Sequence, residues 1–328
     1  MASEFEGQPK EASVELTDND AVRYHEPDGS VRWTTVLDAK LGSLRTPDRL
    51  IHGGRVFVVR YPGIVALDDA TGEVLWKSCE RAECLIAYGD LLLARNFDYE
   101  DSAKRWLVAR RTSSGEVIWR TAIPMQQDPV RIARVGNVFI VRSGVITEGL
   151  SQVVDMQGRI VLDTPECIYS GYPASNSGDL ILLTNKRIIR FRPSEKRAIW
   201  ETREKEEAFR FFWPFWHSQS LPLRSGDLLV YGYGPISDSG IELRRLRIAD
   251  GKVLWTARCA SLRVAHSQYL QMVVLREVDN DLLVLSRGAR DFFEVRDLST
   301  GAQRRRWEFD IPLDTGASMR NDTTPQWE

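Results

Sequence analysis

One short phrase keeps returning along this chain: DGSVRW at Asp28, TGEVLW at Thr71, SGEVIW at Ser114 and DGKVLW at Asp250. Degenerate copies fill the intervals. QGRIVL at Gln157 puts Leu162 where tryptophan stood, EKRAIW at Glu195 puts Lys196 in place of the glycine, and TGAQRRRW at Thr300 is two residues longer. The marker positions are Trp33, Trp76, Trp119, Leu162, Trp200, Trp255 and Trp307, spaced by 43, 43, 43, 38, 55 and 52 residues. Self-similarity at such a period is the sequence signature of a repeat architecture.

Each copy has a physical logic. A glycine after a small or polar residue suits the positive φ of a tight hairpin. A strand such as GIVALDD or WLVARR precedes it, and an alternating strand such as EVLWK follows, with a tryptophan that buries large area between neighbouring units. A second turn then leads into another apolar strand: HGG before RVFVVR, YGD before LLLAR, VGN before VFIVR, SGD before LILLT, SGD before LLVYG, and DND before LLVLS. That makes four short strands per repeat, with no convincing amphipathic helix. Such small sheets cannot bury their faces alone, and closing them in a ring solves the problem. The expected fold is therefore all-β, a single β-propeller of seven four-stranded blades, with a six-bladed ring plus a partial blade as the alternative. Blade one is expected to take its inner strand from the C-terminal tail around NDTTPQWE and its others from ASVELTD, AVRYHEP and SVRWTTV, so that N- and C-terminal strands close the ring. Residues 1–13 read as a flexible N-terminal segment and residues 14–328 as one propeller domain.

The phrase VALDDATGEVLW resembles the pyrroloquinoline-quinone-type propeller repeat, and EVRDLSTG and RIADGKVLW match it in part. That family includes quinoprotein dehydrogenases and outer-membrane assembly scaffold proteins. The resemblance implies the fold; it does not fix the chemistry. The dehydrogenases of the family hold calcium beside the quinone and carry an adjacent cysteine pair. This chain has no Cys-Cys and is much shorter, so no cofactor is expected.

Charge is nearly balanced, with 44 basic and 46 acidic residues, which gives no support for nucleic-acid or basic membrane contact. No apolar run approaches the roughly 20 residues of a spanning helix. The N-terminal MASEFEGQPKEASVELTDND has no apolar signal core, so a cytoplasmic protein is expected. Cys79, Cys84, Cys167 and Cys259 then read as thiols, without the spacing of a zinc site.

The candidate site starts from FRFFWPFWHSQS, Phe209 to Ser220, inside the longest repeat interval. It falls on the connection between two blades, at the loop-rich top of the propeller. So many exposed rings would exceed an ordinary surface patch, so most must be covered. Phe212, Trp213 and Trp216 are candidate walls of a ligand pocket, with channel packing or a partner surface as the other readings. A second long connection brings Arg263 and His266 to the same end. His217 and His266 are the candidate catalytic pair, since histidine moves protons near neutral pH. Tyr169 and Tyr172 of CIYSGYP would frame a polar site beneath them. Asp98, Glu100 and Asp101 lack the ordered spacing of a calcium loop and read as a solvated loop. His25 and His52 are expected at the opposite face, with the hairpin turns.

Two functions fit. One is a cofactor-free binding module or scaffold that holds a small hydrophobic molecule or a protein partner at its top face. The other is a cofactor-independent lyase, isomerase or cyclase acting on a hydrophobic metabolite there, with aromatic walls stabilising a developing cation.

Overall fold

The computed structural model describes residues 11–17, 21–37, 49–60, 63–97, 105–123, 130–143, 149–174, 177–184, 186–203, 220–233, 240–261, 272–287 and 291–309. Their strands make seven antiparallel sheets, spanning 13–36, 49–77, 82–122, 130–164, 168–203, 220–261 and 272–309. In every sheet consecutive strands are hydrogen-bonded neighbours. Six sheets have four strands, lettered here A to D in chain order; the first has three among the described residues. Apart from the 3-10 turn Pro193–Glu195 and a 3-10 position at Ser177, the described regular structure is all strand. These meanders are the blades of a β-propeller.

The first sheet comprises Ser13–Leu16, Ala21–His25 and Val31–Val36, the three segments the repeat phrase predicts. Its Gly29 hairpin matches the C–D hairpin of the other sheets, so these strands are B, C and D. The tail expected to supply strand A lies outside the described residues.

The chain divides into two compact units, Met1–Ile132 with Val154–Ile160, and Ala133–Val153 with Val161–Glu328. Strand alternation explains the core of each. In the first unit, Val56 and Val58 point into a cluster with Val22, Tyr24 and Trp33 of the first sheet. Phe57, between them in sequence, joins Ala82, Leu92 and Ala94 of the third. In the second unit, Leu180 and Leu182 pack with Val138 and Ile140, while Ile181 and Leu183 pack with Leu228 and Val230. Both faces of a middle strand are thus buried, which is why these strands read as continuous apolar runs.

The repeat phrase is a docking device between neighbours. In the first unit, Trp33 lies on Gly72, Trp76 on Gly115 and Trp119 on Gly158; in the second, Trp200 lies on Gly251 and Trp255 on Gly301. Each tryptophan reaches the turn of the following sheet. A methyl group added at Gly72 would sit 2.7 Å from Trp33 Cδ2, and φ there is +75°, so glycine is required on two counts. Each indole Nε1–H donates to a carbonyl of the turn it covers: Asp69 at 2.8 Å, Thr112 at 2.9 Å, Met156 at 3.0 Å, Ile248 at 2.9 Å and Leu298 at 3.0 Å. A register shift in the C–D pairing precedes several of these turns, at Ala66/Leu67, Ala109/Arg110 and Arg245/Leu246 among others. Such a bulge re-aims the hairpin. Where Leu162 replaces tryptophan, the following turn carries Lys196, at φ 52°, in place of glycine. Trp307, at the marker position of the seventh sheet, is 42% exposed and rests on Phe293 of its own sheet.

Candidate functional site

Phe212, Trp213, Trp216, His217, Arg263 and His266 lie outside the described residues, as do Asp98, Glu100 and Asp101. Tyr169 and Tyr172 are on strand A of the fifth sheet, Ile168–Ala174, half-buried against the cluster of Ile181, Leu183 and Leu228. The Tyr172 hydroxyl donates to the Ser220 carbonyl at 2.9 Å and accepts from Ser220 Oγ at 2.6 Å. Ser220 begins strand A of the sixth sheet, so this phenol ties two A strands together. His52 Nε2 sits 2.9 Å from the Gly89 carbonyl, turn against turn, on the side where the sequence puts it.

The chemistry that the sequence reading missed is ionic. Asp179 is fully buried at the start of strand B in the fifth sheet, in the phrase SGD. Arg190 and Arg192 of strand C both reach it, through Nε at 2.9 and 2.7 Å. The hydrogen bonds from Arg192, then those from Arg190, hold the Asp179 carboxyl below the usual range against the cost of burial. Arg190 Nη1 continues to the Ile248 carbonyl at 3.2 Å, the same oxygen that accepts from Trp200. The next junction repeats the relay. Arg245 Nε binds Asp227 at 2.9 Å, and its Nη1 reaches the Leu298 carbonyl at 2.8 Å, which also accepts from Trp255. The signal was present in the repeated SGD, paired with an arginine one strand later.

Other carboxylates, buried or partly exposed, are held the same way. Glu294 is fully buried in strand C of the seventh sheet, between Arg296 Nε at 2.7 Å and Arg306 Nη1 at 2.5 Å. Arg304 and Arg306 lie on the last strand of that sheet, Gln303–Phe309, and Arg306 serves this buried acid. In the third sheet, Glu80 takes hydrogen bonds from Asn96 at 2.6 Å, Arg110 at 2.7 Å and Arg120. Burial pulls the Arg110 pKa down and Glu80 pulls it back up. Arg110 and Arg296 occupy equivalent places, each donating to the turn glycine of its own hairpin, Gly115 and Gly301, at 3.0 and 2.9 Å. Cys79, Cys84 and Cys167 are thiols rather than halves of a disulfide, and burial pushes the pKa of Cys167 up. Among the described residues no group of three histidine, cysteine or acidic side chains is placed to hold a metal.

One cavity of about 370 Å³ opens beside the first sheet. Its lining includes Glu15, His25, Glu26, Pro27, Gly29 and Arg49. His25 Nε2 faces Glu15 at 3.2 Å, and Arg32 binds Glu26.

Bladed meanders joined by tryptophan-on-glycine contacts define a propeller of the PQQ-repeat class. The family model described as outer membrane protein assembly factor BamB matches residues 17–202, more than half of the chain, and the protein belongs to that family. No curated protein matches the sequence. Among solved structures, a eukaryotic initiation factor is 10% identical with a TM-score of 0.56, over 88% of this chain and 70% of that one. BamB from Moraxella catarrhalis is 11% identical with a TM-score of 0.47, over 92% of this chain and 89% of that one. AztD from Citrobacter koseri is 11% identical with a TM-score of 0.49, over 90% and 85%.

Proposed function

We propose that this propeller is a cofactor-free binding module or scaffold. The observation that carries the reading is the state of its buried acids. A general acid needs a carboxyl kept protonated by its surroundings. Asp179 is instead held ionised by Arg192 and Arg190, and Glu294 is tied to Arg306 of the neighbouring strand. The family description, an assembly factor, points the same way. Binding is assigned to the loop end that carries Trp213, Trp216 and Arg263, for a protein partner or a small hydrophobic molecule.

Native mass spectrometry of the freshly purified protein tests this, alongside a Trp213→Ala/Trp216→Ala variant. A bound species retained by the wild type and lost from the variant is the expected result. Turnover of a small substrate that disappears in His217→Ala or His266→Ala would overturn it in favour of an enzyme.

A further inference from the structure

Strand D of the seventh sheet, Gln303–Phe309, reads QRRRWEF, and Asp310 follows it in sequence. Laid antiparallel on a copy of itself about Trp307, it sets Arg306 opposite Glu308 twice, Arg305 opposite Phe309 twice and Trp307 opposite itself. One step further, Arg304 falls opposite Asp310, which lies just beyond the described residues. No like charges meet. The same operation about the marker residue of the other D strands brings no opposite charges together. In the third sheet Ile118 meets Arg120, in the sixth Leu254 meets Thr256, and in the fifth Arg197 meets Arg203.

The position of the strand allows such a pairing. It ends its sheet and pairs with strand C only, among the described residues, so its second edge carries no strand there. Trp307 is 42% exposed, against 9% for Trp33 and Trp255 at the same marker position. Arg306 Nε donates to Glu308 Oε1 at 2.9 Å, and its Nη1 to Glu294. The Glu308 side chain is 55% exposed, so its carboxylate is open to a second guanidinium. Charges usually guard a sheet edge against pairing. Here their order along the strand does the reverse, because against a second copy each acid meets an arginine.

We infer that strand D of the seventh sheet is a homodimer interface, two copies pairing edge to edge about a two-fold axis at Trp307 into one eight-stranded sheet. A two-fold contact must be self-complementary, which this strand is. The inference goes beyond the scaffold reading, which concerns the loop end, and does not depend on it.

Sedimentation equilibrium of the full chain at micromolar concentration should give a dimer. Glu308→Lys puts a lysine opposite Arg306 in both pairs and should weaken self-association by about tenfold or more. Trp307→Cys places a thiol on the axis, where paired Cα atoms about 4.5–5.5 Å apart admit a disulfide. Mild oxidation should therefore cross-link it beyond the wild type, whose own cysteines set the background. Ile118→Cys is the control, since Ile118 is also 42% exposed on a D strand. A monomeric wild type overturns the inference. So does a dimer that Glu308→Lys leaves intact, or one that Trp307→Cys cross-links no better than Ile118→Cys, since either places the contact on another surface.

Discussion

The junctions of the two units share one device and differ in what surrounds it. In the first unit, Trp33 and Trp76 lie on Gly72 and Gly115, and the residues before the C-strand bulge are small, Ala66 and Ala109. In the second, Arg190 and Arg245 precede the bulge, and each ties an aspartate, Asp179 or the half-buried Asp227, to the carbonyl that the tryptophan already uses. In the first unit the tryptophan–glycine contact is joined instead by side chains of strand D, with Thr35 Oγ1 donating to the Gly72 carbonyl at 2.7 Å and Arg32 Nη1 to the Asp69 carbonyl at 3.3 Å. The arginine relay is an addition that locks the A–B turn of one sheet to the C–D hairpin of the next. Between these stands the Leu162–Lys196 junction, where both halves of the device are replaced.

The largest effect is expected at the tryptophans themselves. Trp255→Ala should cost about 3–5 kcal/mol, the usual toll of emptying a buried aromatic site. Trp255 is only 9% exposed, so its loss should exceed that of the less buried Trp76→Ala in urea unfolding. Equal losses would show that the relay adds nothing to the packing around Trp255. Next comes Gly72→Ala, where left-handed backbone alone costs about 1–2 kcal/mol and the clash with Trp33 adds to it. Gly226→Ala should show only the backbone part, because its Cβ position is open.

Arg245→Met should cost about 2 kcal/mol by leaving Asp227 without its partner, less than for a fully buried pair. Its Asp227→Asn partner change should recover part of that loss. At the odd junction, Leu162→Trp should destabilise the protein, Lys196→Gly should be neutral or stabilising, and the double variant should exceed the sum of the two. A coupling of about 1–2 kcal/mol in this cycle is the expected outcome. A purely additive result would break the equivalence of Lys196 with the turn glycines.

The smallest effect is one of pH. Hydrogen bonds from Arg247 first, then from the Lys252 backbone, depress the Asp250 pKa to about 2. A depressed carboxylate contributes stability that is present above its unfolded value near 4 and lost as pH falls through the folded value of about 2. Asp250→Asn should therefore flatten the fall of the melting midpoint in that window and leave neutral pH almost unchanged.

Much of the fold was legible because its grammar is local. The tryptophan, the turn glycine and the apolar strand sit within one short phrase, and the strands fall where those phrases place them. The ionic part was legible only by half: the repeated SGD marks the aspartates, but which arginine meets Asp179 depends on the register of two strands. Arg306 sits in a run of three arginines whose charge alone says nothing of its role, and only the pairing across to Glu294 shows its purpose. For the candidate site, Tyr172 is informative: the sequence offers a phenol for a pocket, and the fold spends its hydroxyl on Ser220. The remaining candidates, from Phe212 to His266, lie outside the described residues.

The Leu162–Lys196 junction also bears on how such a repeat could drift. Starting from a tryptophan–glycine pair, two substitutions reach the present state, and their order is not symmetric. Changing glycine first drives a new side chain into the ring. Changing tryptophan first leaves only a void, and the turn is then released from its steric rule. A drifting repeat should therefore shed its aromatic residue before its glycine, and a turn that keeps glycine after losing its ring marks the intermediate stage of that decay.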